Sequence, residues 1–132
     1  MKIESYAFGK EGMARVYENA KWTVGIKNWK PANDISGIDC LERHNLTDEL
    51  FVLLEGRCTL VFANETSKGL KIEAVNMEKG KVYNIPQTLW HNTVTEKETK
   101  MILIEDSNTS GENSDVVVLN EDQISEIHSL IP

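Results

Sequence analysis

The stretch GIDCLERHNLTDELFVLLEG, residues 37 to 56, decides how this chain is read. It holds two strand-like runs, Ile38 to His44 and Leu50 to Leu54, separated by a polar turn over Asn45 to Asp48. In an extended strand, side chains two apart share a face, so Glu42 and His44 point the same way with α-carbons about 6.6 Å apart. If the returning run pairs with the first, Glu49 stands on the neighbouring antiparallel strand about 5 Å away. Three potential metal ligands then cluster locally. Charged residues at a strand end also read as a plain solvated turn, and spacing alone leaves both readings open.

Outward from this segment the pattern is the same. Short runs rich in Val, Ile, Thr and aromatics alternate with glycine-containing or polar turns. The expected strands are Arg15 to Glu18, Trp22 to Trp29, Ile38 to His44, Leu50 to Leu54, Cys58 to Ala63, Leu70 to Val75, Val82 to Ile85, His91 to Val94, Met101 to Glu105 and Val116 to Leu119. About ten short strands at this spacing predict an all-β sandwich or barrel. SNTSGENSD, from Ser107 to Asp115, reads as a polar loop. After it, Asn120 and Gln123 make a capping-box pair, and Ile124, Ile127, Leu130 and Ile131 form one apolar stripe. One terminal helix, about residues 120 to 131, is therefore expected on a β core.

Composition bounds the function. With 132 residues, 14 Lys plus Arg against 21 Asp plus Glu, and a formal charge of -7, the chain reads as a single acidic domain, 1 to 132. A chain of this length buries about two thirds of its unfolded surface, so folding needs neither disulfides nor a structural metal. An acidic field without a basic block argues against nucleic acid and anionic membranes as partners. The longest apolar run, Leu50 to Leu54, is far short of the roughly 20 residues that cross a bilayer, and no secretory leader is visible, so the expected location is cytoplasmic. Cys40 and Cys58 lack C-x-x-C spacing and read as small buried hydrophobes.

Other residues have weaker claims to chemistry. Cys40 shares the face of Glu42 and His44 by alternation. Asp48 reads as a turn residue, and His128, near the end of the helix, as compensation for the helix dipole. Trp22, Trp29, Trp90 and Tyr83 suit either a ligand pocket or ordinary core filling, with Trp90 pointing away from His91 in a regular strand.

The segment 37 to 56 resembles the first motif of the cupin superfamily: Gly37, His44 at the second histidine of a His-x-His pair, then Glu49 and Gly56. A second stretch, GKVYNIPQTLWHNTV over about residues 80 to 95, resembles the second motif, with Gly80, Pro86 and His91 at the family spacing. The runs DELFVLLEG and MILIED also look like small single-domain cupins. Three positions depart from the pattern. Glu42 stands at the first histidine, Thr88 at the glycine of Pro-x-Gly, and Thr95 where the family usually has Asn.

The resemblance implies a jelly-roll-like double-stranded β-helix barrel with its pocket in the mouth, and a homodimer in which strands from the amino-terminal region pack across the interface. It implies a divalent transition metal, Mn, Fe, Zn or Ni, on Glu42, His44, Glu49 and His91. This is a more oxygen-rich set than three imidazoles and one carboxylate. Alternatively Glu42 is freed to act as an acid or base beside a three-ligand ion, or the site has lost its metal. The expected function is a metal-dependent isomerase, lyase or oxygenase acting on a small polar or sugar-like molecule. The alternative is a non-catalytic module that binds or senses such a molecule.

Overall fold

The computed structural model describes all 132 residues. Ten strands form two five-stranded antiparallel sheets. They are β1 (Met13–Glu18), β2 (Trp22–Asn28), β3 (Cys40–His44), β4 (Glu49–Glu55), β5 (Cys58–Thr66), β6 (Gly69–Asn76), β7 (Val82–Ile85), β8 (Trp90–Thr95), β9 (Lys100–Asp106) and β10 (Ser114–Val118), followed by helix α1 (Glu121–Leu130). One sheet runs β1-β2-β9-β4-β7 and the other β10-β3-β8-β5-β6. The chain is an all-β barrel with one short helix, and the expected strands differ from these by a few terminal residues. No helix is long and apolar enough to cross a membrane.

One pairing differs from the sequence expectation in a way that matters for the site. β3 and β4 do not pair. β3 lies between β10 and β8, whereas β4 lies in the opposite sheet between β9 and β7. The turn at Asn45 to Asp48 therefore crosses from sheet to sheet, and Glu49 reaches His44 across the barrel instead of along a ladder.

Period-two alternation produces two cores. On β4, β5 and β9, Phe51, Leu53, Leu60, Met101 and Leu103 point inward and fill one end of the barrel with Cys58, Met77 and Ile85. Leu41, Val61, Ala63, Trp90 and Val94 point outward from the second sheet, where Ile127 of α1 closes over them. Strand β5, interior to its sheet between β8 and β6, thus contributes to the core on both faces. Complete burial of Ile127 contributes roughly 2 kcal/mol. The helix begins as its sequence predicts, with Asn120 accepting from the Gln123 backbone N–H at 2.8 Å and Gln123 returning a bond to the Asn120 N–H at 2.9 Å. Leu130 departs from the expected stripe: it stays 38% exposed, while Ile124 and Ile131 pack against the cluster. The His128 carbonyl accepts from the Ile131 N–H at the helix end, while the His128 ring Nε2 donates to the Ile35 carbonyl oxygen at 2.7 Å, joining α1 to the β2–β3 connection.

Two glycines of the first motif have steric causes. A Cβ on Gly37 would collide with the Pro31 carbonyl oxygen. Gly56 has φ +76°, and a Cβ there would lie 2.6 Å from the Thr99 α-carbon. Thr99 fixes this corner, because its Oγ1 donates to the Arg57 carbonyl at 2.7 Å and accepts from the N–H groups of Arg57 and Glu96.

Residues before β1 form no strand. Asn28 Nδ2 donates to the carbonyls of Phe8 and Lys10 at 3.0 and 2.8 Å, and Lys100 Nζ donates to Phe8 at 2.8 Å. β1 and β2 complete the chain's own sheet.

Candidate metal centre

On β3, alternation sends Leu41 outward into the helix-covered core and Glu42 and His44 inward. β8 pairs with β3 so that His91 stands directly opposite Glu42. From the facing sheet, β4 brings Glu49 and β9 brings Glu105, again directly opposite one another. All four sequence-derived residues, Glu42, His44, Glu49 and His91, line one cavity of about 390 Å³, together with Glu105 and Arg15.

Glu49 Oε1 is the hub, 3.0 Å from His91 Nε2 and 3.5 Å from His44 Nε2. His44 Nε2 lies 3.9 Å from Glu42 Oε1 and 3.9 Å from Glu105 Oε2. Donors bound to one ion at about 2.1 Å stand roughly 3.0 to 3.4 Å apart in octahedral or tetrahedral arrangements, so the central contacts match shared coordination. Both rings are held from behind, His44 Nδ1 by Ser114 Oγ at 2.8 Å and His91 Nδ1 by the Leu89 carbonyl at 2.9 Å. A carbonyl only accepts, so His91 Nδ1 carries a proton, which leaves Nε2 as the ring nitrogen that faces Glu49 and the cavity. Glu105 Oε2 is buried without a hydrogen-bond partner. A carboxylate oxygen orphaned beside a second carboxylate calls for a proton or a cation. On both counts the residues fit a divalent ion.

The electrostatics follow from the facing carboxylates. Burial alone would raise Glu49, but hydrogen bonds from His44 and His91 prevail and hold it far below the ordinary range. Burial, then the charge of Glu49 opposite, push Glu105 up to about 8. Arg15 offsets this in part, with one guanidinium nitrogen 3.5 Å from Glu105 Oε1 and 2.6 Å from the Thr109 carbonyl. The Glu49 hydrogen bond raises His44.

A pH dependence results. Unfolded, Glu105 loses its proton near 4.5, whereas folded it keeps it to about 8. Between those values the folded chain holds more protons than the unfolded one, so stability falls as pH rises. His44, raised above its ordinary 6.5, acts in the same sense. Glu49 is ionised in both states across this window and adds no slope. Melting curves in chelator should show Tm falling from about pH 5 to 8, by less in Glu105→Gln; an equal fall in both proteins would contradict the assignment.

The turn that delivers His91 is clamped to the one that delivers Glu49. The Thr88 N–H donates to the His44 carbonyl at 2.7 Å, and Asp48 accepts from the Gln87 N–H at 2.8 Å and from Asn84 Nδ2 at 3.3 Å. Thr88, standing where the motif has glycine, has φ 73°, a left-handed conformation that strains a β-branched residue. Thr95, in the Asn position, is buried and donates to the Asn33 carbonyl at 3.2 Å.

Several sequence expectations place differently. None of Trp22, Trp29, Trp90 or Tyr83 lines the cavity. Trp90 joins the helix-covered core, as its alternation with His91 requires, Trp22 is exposed, and Tyr83 packs on the inner core. Trp29 Nε1 donates to Asp34 at 2.9 Å. Cys40 is half-buried and outside the cavity lining. The polar loop before β10 contains a capped turn at Gly111–Asn113, and Thr109, Ser110 and Gly111 form part of the cavity wall. Glu105 was missing from the expected set, although Met101, Leu103 and Glu105 share one alternating face with two core residues.

A double-stranded barrel with a His and Glu cluster inside it is the cupin architecture, and this chain folds as a cupin. Solved structures similar to it include a cupin-2 domain protein from Shewanella frigidimarina, with 19% identity, 75% of this chain and 84% of that chain covered, and a TM-score of 0.54. A Streptomyces Pac13 variant with uridine has 12% identity, covers 93% of this chain and 98% of its own, and has a TM-score of 0.60; Pac13 is described as a nucleoside dehydratase. KdgF from Halomonas has 14% identity, with 71% and 76% covered and a TM-score of 0.53. No protein-family model and no curated protein sequence matches the chain.

Proposed function

We propose that this chain is a metal-dependent cupin enzyme acting on a small polar molecule held in the barrel cavity. The observation that carries this reading is that His44 Nε2 and His91 Nε2 both stand within 3.5 Å of Glu49 Oε1, with Glu105 Oε2 unpartnered beside them and Glu42 grouped with the two imidazoles. His44, Glu49 and His91 would hold a divalent ion such as Mn, Fe, Zn or Ni. A bound ion of this kind polarises a substrate oxygen.

Glu42 takes the proton-transfer role in this scheme. Its side chain is 44% exposed, on the open side of the cluster, while Glu49 and Glu105 are buried. A carboxylate that stays accessible beside a fixed imidazole is suited to taking a proton from a bound molecule and returning it elsewhere. Acid and base groups on one cavity suit isomerisation or elimination, and the dehydratase description of Pac13 supports that direction.

The test separates ligand from acid or base. Glu42→Ala is expected to retain metal at the wild-type stoichiometry while losing the acidic limb of its pH–rate profile on a substrate found by screening. Loss of the metal in Glu42→Ala would return Glu42 to the ligand set. The exposed apolar side chains of edge strands β1 and β10, Met13, Tyr17, Val116 and Val118, support a homodimer, which light scattering would measure.

A further inference from the structure

Lys27 has no role in the metal centre, yet it lines the same cavity. It lies on the inward face of β2, where its ladder partners are Met13 on one side and Met101 on the other. No carboxylate lies within ion-pair distance of its amine, and the side chain makes no hydrogen bond. Burial pushes the amine down, against the pull of Glu49 and Glu42. Lys27 is half-buried between the buried Met101 and the exposed Met13, and a cation on a cavity wall without a protein partner is a group whose charge a ligand can meet.

A second group on the cavity wall is also without a partner. Thr93, two residues beyond His91 on the same inward face, is 1% exposed, and its Oγ1 has no hydrogen-bond partner. A hydroxyl that lines a cavity in this state is satisfied by an oxygen-bearing ligand or by water.

Charge balance gives the sign of that ligand. With a divalent ion in place, Glu42 and Glu49 neutralise it and Arg15 pairs with Glu105, which leaves Lys27 as an uncompensated positive charge inside and Lys30 as another at the exposed edge. We propose that the cavity takes a small hydroxycarboxylate, its carboxylate paired with Lys27, one oxygen at Thr93 and another directed to the His44, Glu49 and His91 cluster. A carboxylate suits this place better than a phosphate, because a single half-buried amine matches one negative charge and Arg15, the fork-shaped donor, is already engaged by Glu105 and Thr109.

This inference rests on the metal reading for its charge balance, so both are measured on the same proteins. Malate, gluconate, galacturonate, dimethyl malate and inorganic phosphate would be titrated calorimetrically into wild type, Lys27→Met, Lys27→Arg and Thr93→Val, each metal-free and loaded with Mn(II). At least one of the three acids should bind wild type, about tenfold or more weaker to Lys27→Met and within a few-fold of wild type to Lys27→Arg, with dimethyl malate failing to bind. Lys27→Met should also keep its Mn(II) and melt at a higher temperature than wild type, which a merely structural lysine would not do. Equal binding of the acids by Lys27→Met, binding of phosphate alone, or binding of none of the acids would overturn the proposal. Lys27-dependent acid binding by a protein that takes up no Mn(II) would sustain it and overturn the metal reading instead.

Discussion

His91→Gln and Glu49→Gln are each expected to lower affinity for Mn(II) or Zn(II) at least about 100-fold, while the far-ultraviolet spectrum and the barrel are retained. Outer-shell partners alone change metal affinity by about 10 to 100-fold, and these two residues would touch the ion itself. His91 is 2% exposed, and its Nδ1 proton is committed to Leu89, so only Nε2 faces the cavity. Glu49 Oε1 meets both imidazoles, so the neutral amide removes the one charge that all three groups share. Removing it also relieves the repulsion with Glu105, directly opposite on β9. Relief of that repulsion offsets only part of the lost hydrogen bonds from His44 and His91, so metal-free Glu49→Gln should melt below wild type near pH 8 yet keep its far-ultraviolet spectrum at about 25 °C, which separates loss of a ligand from loss of fold. Unchanged metal affinity in both variants, measured by titration calorimetry, would remove these residues from the ligand set.

Gly56→Ala is expected to destabilise the protein by about 3 kcal/mol or more. A left-handed backbone costs an alanine roughly 1 to 2 kcal/mol. The added methyl would also lie 2.6 Å from the Thr99 α-carbon and 2.8 Å from its nitrogen, and neither is a flexible side-chain end that can swing aside. Displacing Thr99 would disturb the three hydrogen bonds by which its hydroxyl ties Arg57 to Glu96. For a chain of this size such a loss lowers Tm by roughly 10 °C. Gly69→Ala is the matched control, since Gly69 also has a positive φ but nothing lies within 4 Å of a Cβ there. Equal shifts in the two variants would show that conformation alone, and not the contact with Thr99, sets the cost at Gly56.

Much of this could be read from local pattern. Alternation placed the strands, because a strand buried on one face writes its register into the chain. The capping box at Asn120 and Gln123 announced the helix, because both partners lie within one turn. Two glycines of the first motif mark a collision at Gly37 and a left-handed corner at Gly56. The four ligand candidates came together in one cavity, as the family resemblance implied.

What local pattern concealed was pairing between strands distant in sequence. A polar four-residue turn after β3 is what a hairpin offers, yet the chain uses it to cross between sheets, and only the packing of both sheets decides this. Glu105 was hidden for the same reason. At the end of MILIED it looks like a solvated terminus, and its meaning appears only when β9 is paired with β4 and Glu49 stands opposite. Lys27 is a similar case, since an inward lysine between methionines is visible only once β2 has been placed between β1 and β9.

The central claim is that His44, Glu49 and His91 make a divalent metal site, and the most direct test is stoichiometry. Wild-type protein stripped with chelator, dialysed and titrated with Mn(II) or Zn(II) should take up close to one ion per chain and release protons as it does so, because Glu105 and the raised His44 give theirs up. Folded wild-type protein that takes up neither ion would contradict it.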